Sequence, residues 1–65
     1  MSFLIGIDVG GTNTNGVLLK GAHVLATVKA PTDHHNLHTG TREVLTRLLQ
    51  ALPREEQGPV ELHLS

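Results

Sequence analysis

The sequence has no cysteine, tryptophan or tyrosine, and its one phenylalanine is Phe3. Without cysteine, disulfide bonds and thiolate zinc sites are excluded, which agrees with the reducing cytoplasm that we expect as its location. No apolar run approaches the roughly 20 residues that cross a bilayer, so a membrane span is not predicted. The start of the chain carries Asp8 and no basic residue ahead of it, which argues against a signal peptide.

Positive charge is also sparse: the chain has five lysines and arginines in total and a net charge of -1. These basic residues are scattered along the sequence and do not form a cluster. Nucleic-acid-binding proteins combine basic patches with aromatic stacking platforms, and this sequence has neither, so we expect no nucleic-acid partner. At 65 residues the chain holds one domain at most. Its core barely offsets a chain entropy of roughly 1.5 kcal/mol per residue, so we expect stabilisation from partner chains or downstream sequence.

Periodicity predicts an α/β fold with the element order β-β-β-α-β. The first strand is a continuous apolar run, typical of a buried central strand, and the helix is amphipathic. The predicted elements are strands at 3–7, 14–19, 23–29 and 60–64 and a helix at 36–52, with a polar linker at 54–59. In the third strand, Val24, Ala26 and Val28 are expected to share one face.

These elements predict a three-strand antiparallel meander, a crossover helix and a fourth strand. Crossovers between strands of one sheet are right-handed, so the fourth strand is expected to lie parallel to the first. Nothing in the sequence is predicted to cover its outer edge. An open edge of this kind favours pairing with another molecule.

Two adjacent glycines, Gly10 and Gly11, lie between the first two predicted strands. They directly follow the end of the first strand, where Asp8 supplies a carboxylate. Adjacent glycines allow backbone N–H groups to turn inward and form a concavity that binds anions. An acid at such a strand end holds Mg²⁺ through its water shell. The predicted phosphate and metal site therefore consists of Asp8, Gly10, Gly11, Thr12, Asn13 and Thr14, with Asp8 as the metal residue.

This loop matches neither of two common nucleotide motifs. A Walker A loop has Gly-Lys-Ser/Thr and opens a helix, whereas a strand follows the glycines here. The dinucleotide fingerprint Gly-x-Gly-x-x-Gly is likewise absent.

The run Ile7-Asp8-Val9-Gly10-Gly11-Thr12-Asn13-Thr14 resembles the first phosphate motif of the superfamily of actin, hexokinase and the heat-shock chaperones. Together with 16–19 and the segment Val28-Lys29-Ala30-Pro31-Thr32, the chain is similar to the hydantoinase/oxoprolinase N-terminal region. The resemblance implies a ribonuclease H-like, actin-like ATPase domain, of which residues 1–65 form an incomplete N-terminal part.

The resemblance further implies an ATP-dependent hydrolase that opens a small cyclic amide, such as a hydantoin or 5-oxoproline. In such an enzyme Asp8 would organise Mg²⁺, and residues 10–13 would hold the β- and γ-phosphates of ATP. No catalytic residue is assigned, and the chain is expected to be inactive without the remainder of the same enzyme. Asn15 stands where the family usually has Asp, and an amide lacks the carboxylate charge, so a metal or base role there is in doubt.

Four other interpretations stay open at this point. The chain is alternatively a non-catalytic α/β module that associates with a second copy through its open sheet edge, or a fragment of another actin-like kinase. The glycine loop is alternatively an ordinary polar turn. His34, His35 and His38 crowd the predicted helix start, where two histidines one turn apart suit zinc or nickel, but a solvated helix start explains them equally well.

Overall fold

The computed structural model describes residues 2–53 and 58–64 of the chain. Four strands and one helix follow in chain order: β1 (Phe3–Val9), β2 (Asn13–Lys20), β3 (His23–Pro31), α1 (Leu37–Gln50) and β4 (Val60–Leu64). The sheet order is β3-β2-β1-β4, with β1, β2 and β3 antiparallel and β4 parallel to β1. The predicted β-β-β-α-β architecture is confirmed. Residues 54–57 of the predicted linker lie outside the described part of the chain.

The hydrophobic core lies between α1 and one face of the sheet, which we call the helix face; the opposite side is the open face. Side chains alternate along a strand, so every second residue of β1 and β2 enters the core. From the helix, Val44 and Leu48 follow each other at the four-residue spacing that lines one side of a helix. The buried apolar residues are Phe3, Ile5, Ile7, Leu18, Ala30, Val44 and Leu48.

Gly16 in β2 is the position at which helix and sheet come closest. A Cβ atom built there would overlap Val44 Cγ1 and lie 2.8 Å from Leu48 Cδ1. Any larger residue in this strand position would therefore push the helix away from the sheet. A glycine in a strand interior commonly marks such a close approach.

The helix boundaries differ slightly from the predicted 36–52. Asn36 lies outside the helix as its N-cap, because its side chain accepts a hydrogen bond from the backbone N–H of His38 at 3.2 Å. At the other end Ala51 is the C-cap, and Pro53 disfavours helical backbone at Leu52.

The predicted alternation of β3 is wrong at Val24. Leu18 pairs with Ala26 but Leu19 pairs with Val24, so Leu25 is an extra residue in β3 and forms a β-bulge. Ala26 therefore faces the core, whereas Val24 lies on the opposite side and is 60% exposed. The β2–β3 turn contains Gly21 with φ of 59°, as the sequence predicted for a turn at this glycine.

The molecule is elongated, with extents of 37 × 19 × 15 Å and a Cα radius of gyration of 11.8 Å. A compact domain of this length has a radius of gyration of about 10.7 Å. Within residues 2–53 and 58–64, no helix is long and apolar enough to span a bilayer.

Candidate functional site

The glycine loop is a tight turn between β1 and β2. The N–H of Gly10 donates to the carbonyl of Asn13 at 2.9 Å, and this bond closes the turn. A Cβ atom at Gly10 would lie 2.9 Å from the same carbonyl oxygen, a distance that real side chains do not tolerate. Gly10 is thus required for the shape of the loop, and its own amide is used internally.

The outer side of the loop presents two backbone donors. Among the described residues, the amides of Gly11 and Thr12 donate to no partner, and both residues are exposed. A Cβ atom at Gly11 would meet nothing within 4 Å, so open space lies directly above this backbone. Free amides beside open space suit an anion that approaches the main chain closely.

The end of β3 holds this loop in place through Thr32. Its backbone N–H donates to Thr12 at 3.0 Å, and its hydroxyl donates to the carbonyl of Gly10 at 2.8 Å. The Thr32 hydroxyl also lies 3.1 Å from the hydroxyl of Thr14, which is fully buried. A hydroxyl has one hydrogen, so Thr14 donates and Thr32 accepts in this pair. We call this set of bonds among Gly10, Thr12, Thr14 and Thr32 the threonine tie.

The helix covers the threonine tie from the core side. Gly40 in the first half of α1 is buried, and a Cβ atom there would lie 3.2 Å from both the Pro31 carbonyl and the Thr14 hydroxyl. Thr14 was predicted from the sequence to belong to the phosphate site, but its side chain is buried and bonded to Thr32. The supporting roles of Thr32 and Gly40 were not predicted. The available signals were a glycine inside a predicted helix and a threonine directly after the last proline of the meander.

Three polar side chains form a row on the open face, next to the loop. Asp8 in β1 is paired with Asn15 in β2, and Asn15 is paired with Lys29 in β3. Directly opposed residues point to the same side of a sheet and lie about 5 Å apart from strand to strand. All three are exposed, and none has a side-chain partner among the residues that the structure describes.

This polar row borders a shallow concavity of about 660 Å³ on the open face. Its floor is low because Gly6 has no side chain, and His63 and Thr27 lie at its two ends. The concavity therefore brings a carboxylate, an amide and an ammonium group to one surface beside the glycine loop.

A single carboxylate at the loop is compatible with Mg²⁺, which retains most of its water ligands and takes few carboxylates directly. Asp8 has the required exposure and lies at the end of β1, one residue before the turn. The donor set and the open space at Gly11 accordingly fit a magnesium-bound phosphate chain.

The histidines at the helix start are not part of a larger cluster of metal-binding side chains among the described residues. In the described ranges, no three histidine, aspartate or glutamate side chains are grouped closely enough to hold an ion. Asp33 instead organises this segment by accepting from the backbone N–H groups of His35 and Asn36, at 2.9 and 3.3 Å.

Comparison with known proteins identifies a family and a similar solved structure. The model of the hydantoinase/oxoprolinase N-terminal region matches residues 4–63. The activator of the 2-hydroxyisocaproyl-CoA dehydratase from Clostridium difficile, solved with bound ADPNP, is similar at a TM-score of 0.67 and 29% identity. The match covers 95% of this chain and 24% of that one, so the chain spans about a quarter of its length. That protein has an actin-like ATPase fold, which agrees with the superfamily expected from the sequence. No protein of curated function matches the sequence.

Proposed function

The chain belongs to the hydantoinase/oxoprolinase N-terminal family, and from this premise we propose that it is the phosphate-binding part of an ATP-dependent hydrolase of cyclic amides. In this proposal residues 1–65 form the first, incomplete part of an actin-like ATPase domain. The full enzyme opens a ring of the hydantoin or 5-oxoproline type. The observation that carries the proposal is the pair of free amides at Gly11 and Thr12, beside an acid-tipped strand.

Each loop residue has a separate role in the proposed site. Gly11 and Thr12 donate backbone N–H groups to phosphate oxygens, and the side chain of Asn13 adds a donor at the start of β2. Gly10 keeps the turn tight enough for these donors to point outward. Thr14 acts indirectly, since its hydroxyl is bonded to Thr32, and it positions the loop rather than touching the ligand.

Asp8 is the proposed metal residue. Its carboxylate would hold Mg²⁺ through the water shell of the ion, next to the phosphates on the loop. When bound, magnesium ATP supplies the phosphoryl group that activates the amide oxygen of the substrate. Lys29 lies two strands away on the same face and adds positive charge toward the same anion. Asn15, between them, keeps a polar contact but brings no second negative charge to the metal.

The chain is proposed to need the remainder of its enzyme for catalysis. None of its residues is assigned a chemical step, and a shallow open loop contacts only one side of a nucleotide. Ligands gain affinity when a site encloses most of their surface. Nucleotide binding by the isolated chain is therefore expected to be weak, with no turnover of ATP or cyclic amide.

The first test is a titration with ADPNP and Mg²⁺, followed by amide NMR shifts of the 65-residue chain. We expect the largest shifts at residues 8–14, centred on Gly11 and Thr12. Asp8→Asn should remove the part of the response that depends on Mg²⁺. Glu43→Gln is the matched control, since it changes the same charge on the outer side of α1, where Glu43 pairs with Arg47 at 2.9 Å.

A second variant separates ligand contact from loop folding. Gly11→Ala places a methyl group in open space, so the melting temperature should be unchanged while the ADPNP-induced shifts shrink. Shifts confined to the helix or to β3, or a full response in both Asp8→Asn and Gly11→Ala, would show that the loop is an ordinary turn.

A further inference from the structure

We propose that Thr32 is a positioning residue of the phosphate site, and that it aims the backbone N–H of Gly11 at the bound phosphate by holding the carbonyl of Gly10. The inference rests on the proposed function, because it assigns a further role within the same loop. The observation that carries it is the series of hydrogen bonds that runs from Thr14 through Thr32 to Gly10.

The direction of the Gly11 N–H follows from the geometry of one peptide unit. The carbonyl of Gly10 and the N–H of Gly11 belong to the same trans peptide. In a planar trans peptide these two bonds point in opposite directions. The Thr32 hydroxyl donates to the Gly10 carbonyl at 2.8 Å, so the carbonyl is directed toward Thr32. The Gly11 N–H is therefore directed away from Thr32, where it donates to no described residue.

This peptide unit needs a restraint, because a glycine lies on each side of it. Glycine adopts positive and negative φ about equally readily, so a peptide plane between two glycines turns over at little steric cost. The bond from the Gly10 N–H to Asn13 closes the turn, but it holds the preceding peptide unit and not this one. The Thr32 hydroxyl supplies the restraint that the two glycines lack.

The buried hydroxyl of Thr14 sets the direction in which this series of bonds runs. Thr14 is fully buried, and its hydroxyl lies 3.1 Å from that of Thr32. The single hydrogen of the Thr32 hydroxyl is donated to Gly10, so Thr14 supplies the hydrogen between the two threonines. Hydrogen bonds in series polarise one another, so a carbonyl that accepts makes the N–H of its own peptide a stronger donor. The series ends at the peptide whose N–H would meet the phosphate.

The backbone of Thr32 holds the other side of the same turn. Its N–H donates to the carbonyl of Thr12 at 3.0 Å, one step beyond the pairing of Asn13 with Pro31. This bond does not involve the side chain at position 32. A substitution that removes only the Thr32 hydroxyl therefore isolates the bond to Gly10.

The bulge in β3 places the Thr32 hydroxyl beside the loop. After the extra residue Leu25, Ala30 pairs with Thr14 on the helix face, and position 32 follows two residues later on the same face. Without the bulge, the Thr32 side chain would lie on the open face, away from Thr14. Gly40 of α1 then limits the movement of Thr14 from the core side, since a Cβ there would lie 3.2 Å from its hydroxyl.

Residual dipolar couplings of the ligand-free 65-residue chain test the geometry, because they report the direction of each N–H bond. Thr32→Val removes the hydroxyl but keeps the branched shape and the backbone N–H. We expect the coupling of the Gly11 N–H to change in Thr32→Val, since its peptide plane is released. Thr32→Ser restores a hydroxyl at the same place and should return the coupling to the parent value.

Titration with ADPNP and Mg²⁺ tests the effect on binding. For a weak ligand, the initial slope of the Gly11 amide shift against ADPNP concentration is inversely proportional to the dissociation constant. Thr32→Val should reduce this slope by roughly tenfold, the loss expected for one hydrogen bond to a charged group. Thr32→Ser should recover most of it.

Phe3→Leu is the control for a loss of stability alone. Phe3 is a core residue at the opposite end of β1 from the loop, so its truncation weakens the fold without touching the threonine tie. All variants are compared at a temperature at which circular dichroism shows them to be folded. Phe3→Leu should keep the parent coupling and the parent slope.

The outcomes separate this inference from the proposed function. A parent-like coupling and slope in Thr32→Val, equal reductions in Thr32→Val and Phe3→Leu, or no recovery in Thr32→Ser would each overturn the role of Thr32 and leave the phosphate loop as proposed. A parent chain in which ADPNP shifts no residue of the loop would overturn the proposed function, and this inference with it.

Discussion

At the scale of single residues, Thr32 is the side chain on which the shape of the candidate site depends most. It donates hydrogen bonds to the carbonyl groups of Gly10 and Thr12 and accepts one from the buried hydroxyl of Thr14. A buried hydroxyl that loses its partner incurs the full cost of its desolvation. Thr32, which directly follows β3 in the sequence, thus holds the carbonyl groups of Gly10 and Thr12 in the loop.

Thr32→Val should lower the free energy of unfolding by about 1–3 kcal/mol, because it leaves the Thr14 hydroxyl and the Gly10 carbonyl without their partner. Urea denaturation measures this change, and faster amide exchange at residues 10–13 would report the loosened loop. Thr46→Val on the exposed side of α1 is the matched control and should be nearly neutral. Thr32→Ser should restore most of the loss; equal stability of Thr32→Val and the parent chain would argue against the threonine tie.

Residue types alone predicted the position of the loop but not the direction of its side chains. The glycine pair after Asp8 predicted a turn, and the structure shows a turn in which the Gly11 and Thr12 amides donate to no described residue. That this turn binds an anion stays a prediction. The alternation of β2 places Thr14 on the same face as Leu18, in the core. Its bond to Thr32 depends on the pairing of β2 with β3, which is a long-range property that the local pattern does not contain.

At the scale of elements, the bulge at Leu25 decides which β3 residues reach the site. Between Leu18 and Leu19 the pairing shifts by one residue, and a shift of one moves every later side chain to the other face. Without the bulge, Lys29 would oppose Thr14 and enter the core. With it, Ala30 takes that buried position and Lys29 joins Asp8 and Asn15 on the open face.

The residue pattern predicted β3 but not this shift in pairing. A regular alternation from His23 to Lys29 fits the residue types, so the pattern carried no signal for an inserted residue. The helix and the order of strands were predicted well, because amphipathic periodicity and the handedness of crossovers depend on local or general rules.

The close packing of α1 on β2 depends on the absence of a side chain at Gly16. Gly16→Ala should destabilise the chain by about 1–3 kcal/mol, since the new methyl group overlaps Val44 and crowds Leu48. The control is Gly6→Ala on the open face, where a Cβ would lie an ordinary 3.4 Å from Val17 Cγ1. Urea denaturation of both variants checks the difference, and equal losses would mean that strand propensity rather than helix packing is being measured.

At the scale of the whole molecule, the helix packs on three strands of the four-stranded sheet, and in the described residues it does not contact β4. Val60, Leu62 and Leu64 of β4 therefore remain 43%, 47% and 62% exposed. A chain of this size buries only about 60% of its unfolded surface. The parallel pairing of β4 with β1 was expected from the handedness of crossovers and is confirmed.

The elongated outline of the protein affects how its mass should be determined. A particle of 37 × 19 × 15 Å experiences more friction than a sphere of equal volume. On a gel-filtration column calibrated with round standards, the monomer would elute early and be mistaken for a larger species. Light scattering or equilibrium centrifugation, which report mass without regard to outline, are the methods that distinguish one copy from two.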